Sequence, residues 1–153
     1  MITVRKATPD DMEVLLSFEQ GVIQAERPFD TTLKTDFTTY YDLPKLISSD
    51  DAELVVAVNG DEVIGSGYAR IEQAKQYVNH RSHSYLGFMF VLPDFRGRGI
   101  NKMILDALSE WCASRNVFEL RLEVYVQNSP AIKAYEKAGF EKLMVLMRKD
   151  ISK

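Results

Sequence analysis

The 153 residues suffice for one domain, which at this size buries about 70% of the surface its unfolded chain exposes. Hydrophobic residues at 46%, charged residues at 27% and a net charge of -3 exclude a disordered chain and argue against a broad nucleic-acid surface. No apolar run approaches the roughly 18 residues of a membrane span, and "MITVRKATPDD" lacks the apolar stretch of a signal peptide, so a cytoplasmic location is expected. Cys112 is the only cysteine, which excludes internal disulfides and thiolate metal clusters, and His80 and His83 are too few for a zinc site.

In chain order, "ITVRKA" predicts a strand. "TPDDMEVLLSFEQGVIQAE" predicts a helix with Thr8 as cap, Pro9 in the first turn and Met12, Leu15, Leu16, Val22 and Ile23 as its apolar stripe. Residues 26–42 are rich in Thr, Asp and aromatics and lack a period, which predicts a loop, with a short helix following near "LPKLISS". "AELVVAVNGDEVIGSGYARI" predicts a hairpin turning at Asn59-Gly60. "SHSYLGFMFVLP" is apolar almost throughout, as a central fourth strand would be. Beyond a glycine turn, Ile100, Met103, Ile104, Ala107, Leu108 and Trp111 recur at helical spacing. "FELRLEVYV" alternates as a fifth strand, "SPAIKAYEKAGF" is a short helix capped by Ser129 and stopped at Gly139, and "FEKLMVLMRK" predicts a last strand. Together these predict one mixed α/β domain over residues 1–153, a central twisted sheet of about six strands flanked by about four helices.

The turn in "VLPDFRGRGINKM" joins a strand to a helix N-terminus, where unpaired N–H groups and the positive end of the helix dipole converge on one point suited to phosphate. Gly97 and Gly99 permit such a turn, and Arg96, Arg98 and Lys102 add positive charge; a surface turn with solvated arginines is the competing explanation. A Walker loop needs another spacing and a hydroxyl, and a dinucleotide fingerprint needs a third glycine where Lys102 stands.

This stretch resembles the acetyl-CoA pyrophosphate loop of the GNAT superfamily of N-acetyltransferases, with Arg96, Gly99 and Asn101 at its three defined positions. "LEVYVQNSPAIKAYEKAGF" is similar to the second GNAT signature, and the order of elements agrees from residue 1 to about 149. The resemblance implies a GNAT-like fold and acetyl-CoA as co-substrate, with no metal. It implies that the backbone of Met89, Phe90 and Val91 pairs with the pantetheine arm and polarises the thioester carbonyl, and that Arg96, Gly97, Arg98, Gly99, Ile100, Asn101 and Lys102 hold the pyrophosphate. Asn128 is then a cofactor contact or a holder of the strand end, and Tyr135 the acid that gives the leaving thiolate its proton. A phenol of pKa near 10 can donate to a thiolate whose conjugate acid has a pKa of about 8.5. Asn101 stands where the family usually has Gly or Ala; cofactor binding is expected to survive because Asn is small and its amide can donate to phosphate.

Glu123, by its "Leu-Glu-Val" context, looks like the glutamate proposed as base in the branch that acetylates protein N-termini; His83, Tyr85 or water are the other candidates. In the segment expected to meet the acceptor, Glu26, Asp30, Asp36 and Asp42 outnumber Arg27 and Lys34, which favours a cationic amine. Phe29, Phe37, Tyr40 and Tyr41 either wall the pocket or anchor this segment to the core. Two function classes result: an acetyl-CoA-dependent N-acetyltransferase acting on a primary amine of a small molecule or protein N-terminus, and a non-catalytic acetyl-CoA sensor or complex subunit. The expected partners are acetyl-CoA and the amine, with no nucleic acid, no membrane, and a homodimer formed through the edge of the last strand.

Overall fold

The computed structural model describes residues 1–152, in two compact units: Met1–Glu123, and the residues from Val124 on. The first unit contains β1 (Ile2–Lys6), α1 (Met12–Glu26), α2 (Leu43–Ser48), β2 (Ala52–Asn59), β3 (Glu62–Gln73), β4 (Ser82–Val91), α3 (Ile100–Ser114) and β5 (Leu120–Arg121). The strands lie in the order β1-β2-β3-β4-β5, antiparallel up to β4 and parallel between β4 and β5. A parallel neighbour needs a crossover, and α3 supplies it.

β2 is apolar from Leu54 to Val58, where both of its faces are covered. Leu54, Val56 and Val58 join Leu15 and Phe18 of α1, Leu43 and Leu46 of α2, Tyr68 and Phe88 in one core. Ala57 points the other way, beside Gly65 and Ile104 of α3, as the period of two along a strand requires. The hairpin forms as expected, but Asn59 pairs with Glu62, so its turn pair is Gly60-Asp61, one residue later than predicted.

α1 opens with a 3-10 turn at Pro9–Asp11, and Asp11 Oδ2 accepts the Thr8 N–H at 2.8 Å. Leu15, Phe18, Glu19 and Ile23 are the buried residues of the helix, while Leu16, expected inside, is 47% exposed. In α3 the buried set is Ile100, Ile104, Leu105, Leu108 and Cys112, and Met103 lies at the surface edge.

In the second unit α4 (Ser129–Lys137) is the one regular element among the described residues. Its cap is Asn128 rather than Ser129: Asn128 Oδ1 accepts from the Ala131 N–H at 3.4 Å. The sheet therefore has five strands, not about six, and β5 is two residues long. Alternation in "FELRLEVYV" and apolar content in "FEKLMVLMRK" give a preference for extended chain, but a strand exists only where a neighbour completes the ladder. Only Leu120 and Arg121 have one, opposite Ser84 and Tyr85, and residues 140–152 form no strand. Among the described residues no helix is long and apolar enough to cross a membrane.

Candidate functional site

β4 meets β5 only at Ser84 and Tyr85, so residues 86–91 run on with no β5 partner and leave a length of open strand edge. On its other side the register with β3 steps from Tyr68↔Gly87 to Ser66↔Phe90, which leaves Phe88 and Met89 opposite Gly67 alone. This is a β-bulge. Phe88 takes φ +57°, a left-handed conformation that costs about 1–2 kcal/mol for a residue with a Cβ. Packing holds it there: the Phe88 ring is buried and lies 4.7 Å from the Tyr41 ring, and the Phe88 carbonyl accepts from the buried Ser66 Oγ at 2.9 Å. A Cβ on Gly67 would come within 2.7 Å of Met89 Sδ and Ile104 Cγ2, and one on Gly87 within 2.7 Å of Tyr68 Oη. The sequence analysis missed this bulge, although Gly65-Ser66-Gly67 and Gly87 interrupting apolar strands were its available signal.

From β4 the chain passes a 3-10 turn at Pro93–Phe95 into the basic loop. Gly97 and Gly99 both have φ +78° with open space where a Cβ would stand, so glycine is needed there for the backbone angle. Gly99 caps α3, and the Met103 N–H is bonded to the Gly99 carbonyl at 3.1 Å; the N–H groups before Met103 have no helical acceptor. Arg96 donates from Nε to the Val91 carbonyl at 2.9 Å and lies 5.8 Å over the Phe90 ring. Arg98 sits 5.1 Å over Phe95, and Lys102 pairs with Asp106 at 2.7 Å. Ile100 is buried, so only its backbone is available to a ligand. Asn101 is half-buried in the first turn. Met89 to Val91 and Arg96 to Lys102 thus lie on either side of the Pro93–Phe95 turn, an open strand edge before it and cations and the unbonded first N–H groups of α3 after it.

Nearer the start of β4, the Tyr85 hydroxyl donates to Glu123 Oε1 at 3.0 Å. Burial, and then the Glu123 charge, push the Tyr85 phenol well above its ordinary value, which makes Tyr85 a lasting donor and a poor base. His83 Nε2 lies 3.4 Å from Glu72, whose other oxygen is taken by Arg70 at 2.7 Å. The Arg70 guanidinium covers the rings of Tyr68 and Tyr85 at 5.7 and 5.6 Å.

The segment after α1 is tied to that helix by side chains. Glu19, fully buried, accepts the Tyr40 and Tyr41 N–H groups at 2.9 and 2.8 Å; Gln20 and Arg27 bond the Thr38 and Asp36 carbonyls, each at 2.9 Å. Tyr41 is an anchor, packed on Phe88 and Tyr68, and burial raises its phenol strongly. Burial likewise raises the Glu26 carboxyl, against a hydrogen bond from Tyr40. Phe37 is 77% exposed and does not anchor the segment. Glu19, Tyr68 and Arg70 were not singled out from the sequence, where each looks like an ordinary helix or strand residue. Within the second unit, Tyr135 lies on α4 with its ring 5.8 Å from Phe140, and Asn128 caps the same helix.

Residues 19–140 match the model of the Acetyltransferase (GNAT) family. An uncharacterised N-acetyltransferase of Methanocaldococcus jannaschii is 29% identical over 147 residues, 94% of this chain; the chain spans 62% of that relative's length. An N-alpha-acetyltransferase of Saccharolobus solfataricus is 28% identical over 149 residues, 94% of this chain and 83% of that protein. The crystal structure of a predicted acetyltransferase with acetyl-CoA from Clostridium acetobutylicum superposes with a TM-score of 0.75 at 19% identity, over 99% of this chain and 97% of that one.

Proposed function

The chain belongs to the acetyltransferase (GNAT) family, and we propose that it moves an acetyl group from acetyl-CoA to a primary amine of a small molecule or a protein N-terminus. The observation that carries this reading is the open β4 edge running into the glycine turn. A pantetheine arm contains two amides and can add to a strand edge as a peptide does. Its pyrophosphate then falls at the N-terminus of α3, among unbonded N–H groups, Arg96, Arg98 and Lys102. The Asn101 amide adds a donor at that point. The relative named for N-alpha-acetylation and the neighbour holding acetyl-CoA support the same co-substrate and chemistry.

In the proposed reaction the amine lone pair attacks the thioester carbonyl carbon, and N–H groups among Met89, Phe90 and Val91 stabilise the oxygen as it gains charge. As the C–N bond forms the C–S bond breaks, and Tyr135 gives its proton to the departing sulfur. The surplus proton on nitrogen goes to Glu123, whose Oε1 is held by Tyr85, or to water. For an α-amine of pKa about 8, roughly a tenth is already neutral at pH 7. Asn128 serves by capping the helix that carries Tyr135. The family match crosses the boundary at Glu123, which supports one domain spanning both units. A homodimer stays in the proposal on a changed basis: the expected edge strand is not formed, but Leu143 to Met147 are 66–91% exposed.

The test begins with thermal unfolding in acetyl-CoA, with ATP and NAD as controls. Ligand at 100 times its Kd adds about 2.7 kcal/mol, a shift of about 5–10 °C for a chain of this size. Thiol release across an amine panel follows, and Tyr135→Phe should lower it at least tenfold with acetyl-CoA binding retained. No shift at saturating acetyl-CoA refutes the proposal.

A further inference from the structure

Resting on the transferase reading above, we infer that Ser66 is a positioning residue: its hydroxyl aims the Met89 N–H out of the open edge of β4. Ser66 lies on β3, is fully buried, and its Oγ donates to the Phe88 carbonyl oxygen at 2.9 Å. That carbonyl belongs to the same peptide unit as the Met89 N–H. A trans peptide is planar, with its C=O and N–H pointing in opposite directions, and no peptide bond among the described residues is cis. An oxygen held toward β3 therefore turns the Met89 N–H away from β3. Away from β3 is the side on which β4 has no partner beyond Tyr85.

The bulge is what makes this tether necessary. Phe88 and Met89 together stand opposite the single residue Gly67, so the regular alternation of the ladder does not set the orientation of their shared peptide unit. Ser66 holds that unit from a side chain, at a depth where water does not compete for the hydroxyl. The glycines on either side of it permit the close approach: a Cβ on Gly65 would stand 2.9 Å from the Phe90 carbonyl oxygen, and one on Gly67 2.7 Å from Met89 Sδ. Gly65-Ser66-Gly67 thus acts as one device, in which two residues make room and one holds.

The chemical consequence is directional. A donor stabilises an oxyanion according to how well it is aimed before the charge develops. Without its tether the unit loses aim but not its N–H, so acetyl-CoA binding should persist while the chemical step weakens.

The test binds acetyl-CoA carrying ¹³C at the acetyl carbonyl to the whole chain and reads the thioester band by isotope-edited infrared spectroscopy. In the wild type the band should lie below that of free acetyl-CoA. In Ser66→Ala it should return toward the free value, with Kd changed less than about threefold and kcat lowered about tenfold, less than the 10²–10³ lost when a donor is removed outright. Ser66→Thr, which keeps the hydroxyl, should restore the wild-type band. An unchanged band in a Ser66→Ala protein that binds acetyl-CoA overturns the inference alone. Should the variants not fold, the wild-type Met89 amide proton decides: it should move downfield between the CoA and acetyl-CoA complexes, and no movement overturns the inference. A wild-type chain that binds no acetyl-CoA sinks the transferase reading and this inference with it.

Discussion

Gly21 lies on α1 directly under Phe90, and replacing it with alanine puts two effects of similar size in opposition. Alanine favours a helix over glycine by about 1 kcal/mol, so with free space the substitution would stabilise the chain. The space is taken: the new Cβ would stand 2.6 and 2.9 Å from Phe90 Cε1 and Cζ, against an ordinary carbon contact of about 3.5–4.0 Å. The ring must recede by about 1 Å, which disturbs its contacts with Phe18, whose centroid is 4.7 Å off, and with the Arg96 guanidinium. Overpacking of this kind costs about 1–3 kcal/mol, so the net expectation is a loss of about 0–2 kcal/mol by urea denaturation. The more telling readout is ligand affinity. Arg96 loses an aromatic rest worth about 0.5–1 kcal/mol at an exposed site, so acetyl-CoA should bind about two- to fivefold more weakly by calorimetry. A Gly21→Ala protein that gains stability and binds acetyl-CoA unchanged would show that Phe90 does not hold Arg96, and the reasoning would fail.

Glu19→Ala removes the acceptor of two backbone N–H groups in a fully buried place, and should cost about 3 kcal/mol in chemical denaturation. It should also raise the KM for the amine more than that for acetyl-CoA if the segment it holds meets the acceptor, as the resemblance implies; equal effects on both would count against that role. Asp11 is held below the usual carboxylate range chiefly by hydrogen bonds from Arg5, at 2.9 and 3.0 Å. A lowered folded-state value means that the stability it contributes is present above the unfolded value near 4 and is lost as pH falls through the folded value. Asp11→Asn should therefore lower stability by about 1 kcal/mol at pH 7, a figure kept small because Arg5 is partly exposed, and the two melting curves should converge in acid. Curves that stay equally separated down to pH 2 would refute the assignment.

The sequence was most informative where structure is local. The β2–β3 hairpin, the existence of α3 with Ile100, Ile104 and Leu108 inward, and the glycine turn each follow from residues within a few positions of one another, whereas Leu105 and Cys112 are buried in place of Met103, Ala107 and Trp111. The bulge is different, because it is a mismatch in count between two strands and neither strand carries it alone. β5 failed for a related reason: alternation from Phe118 to Val126 records a readiness to pair, whereas its length is set by what stands beside it. Glu19 was not singled out because the N–H groups it serves lie 21 and 22 residues later. In α1 Leu16 was expected inward and is exposed, while Phe18, left out of the expected stripe, is buried.

The part of β4 proposed to meet the thioester is backbone, and such a role is uncoupled from the identity of its side chains. An alanine scan across Met89, Phe90 and Val91 would report on packing and overlook the proposed work of their N–H groups. On that proposal, sequence drift at Met89 and Val91 costs little as long as the strand keeps its path, whereas Phe90 is also held by its contacts with Phe18 and Arg96. The constraint is displaced onto residues that no ligand need touch: Gly65, Ser66 and Gly67 on the neighbouring strand, and Gly87 beside Tyr68. A laboratory selection for altered amine use should therefore find Met89 and Val91 more permissive than Phe90, whose ring supports Arg96, and the glycines around the bulge refractory.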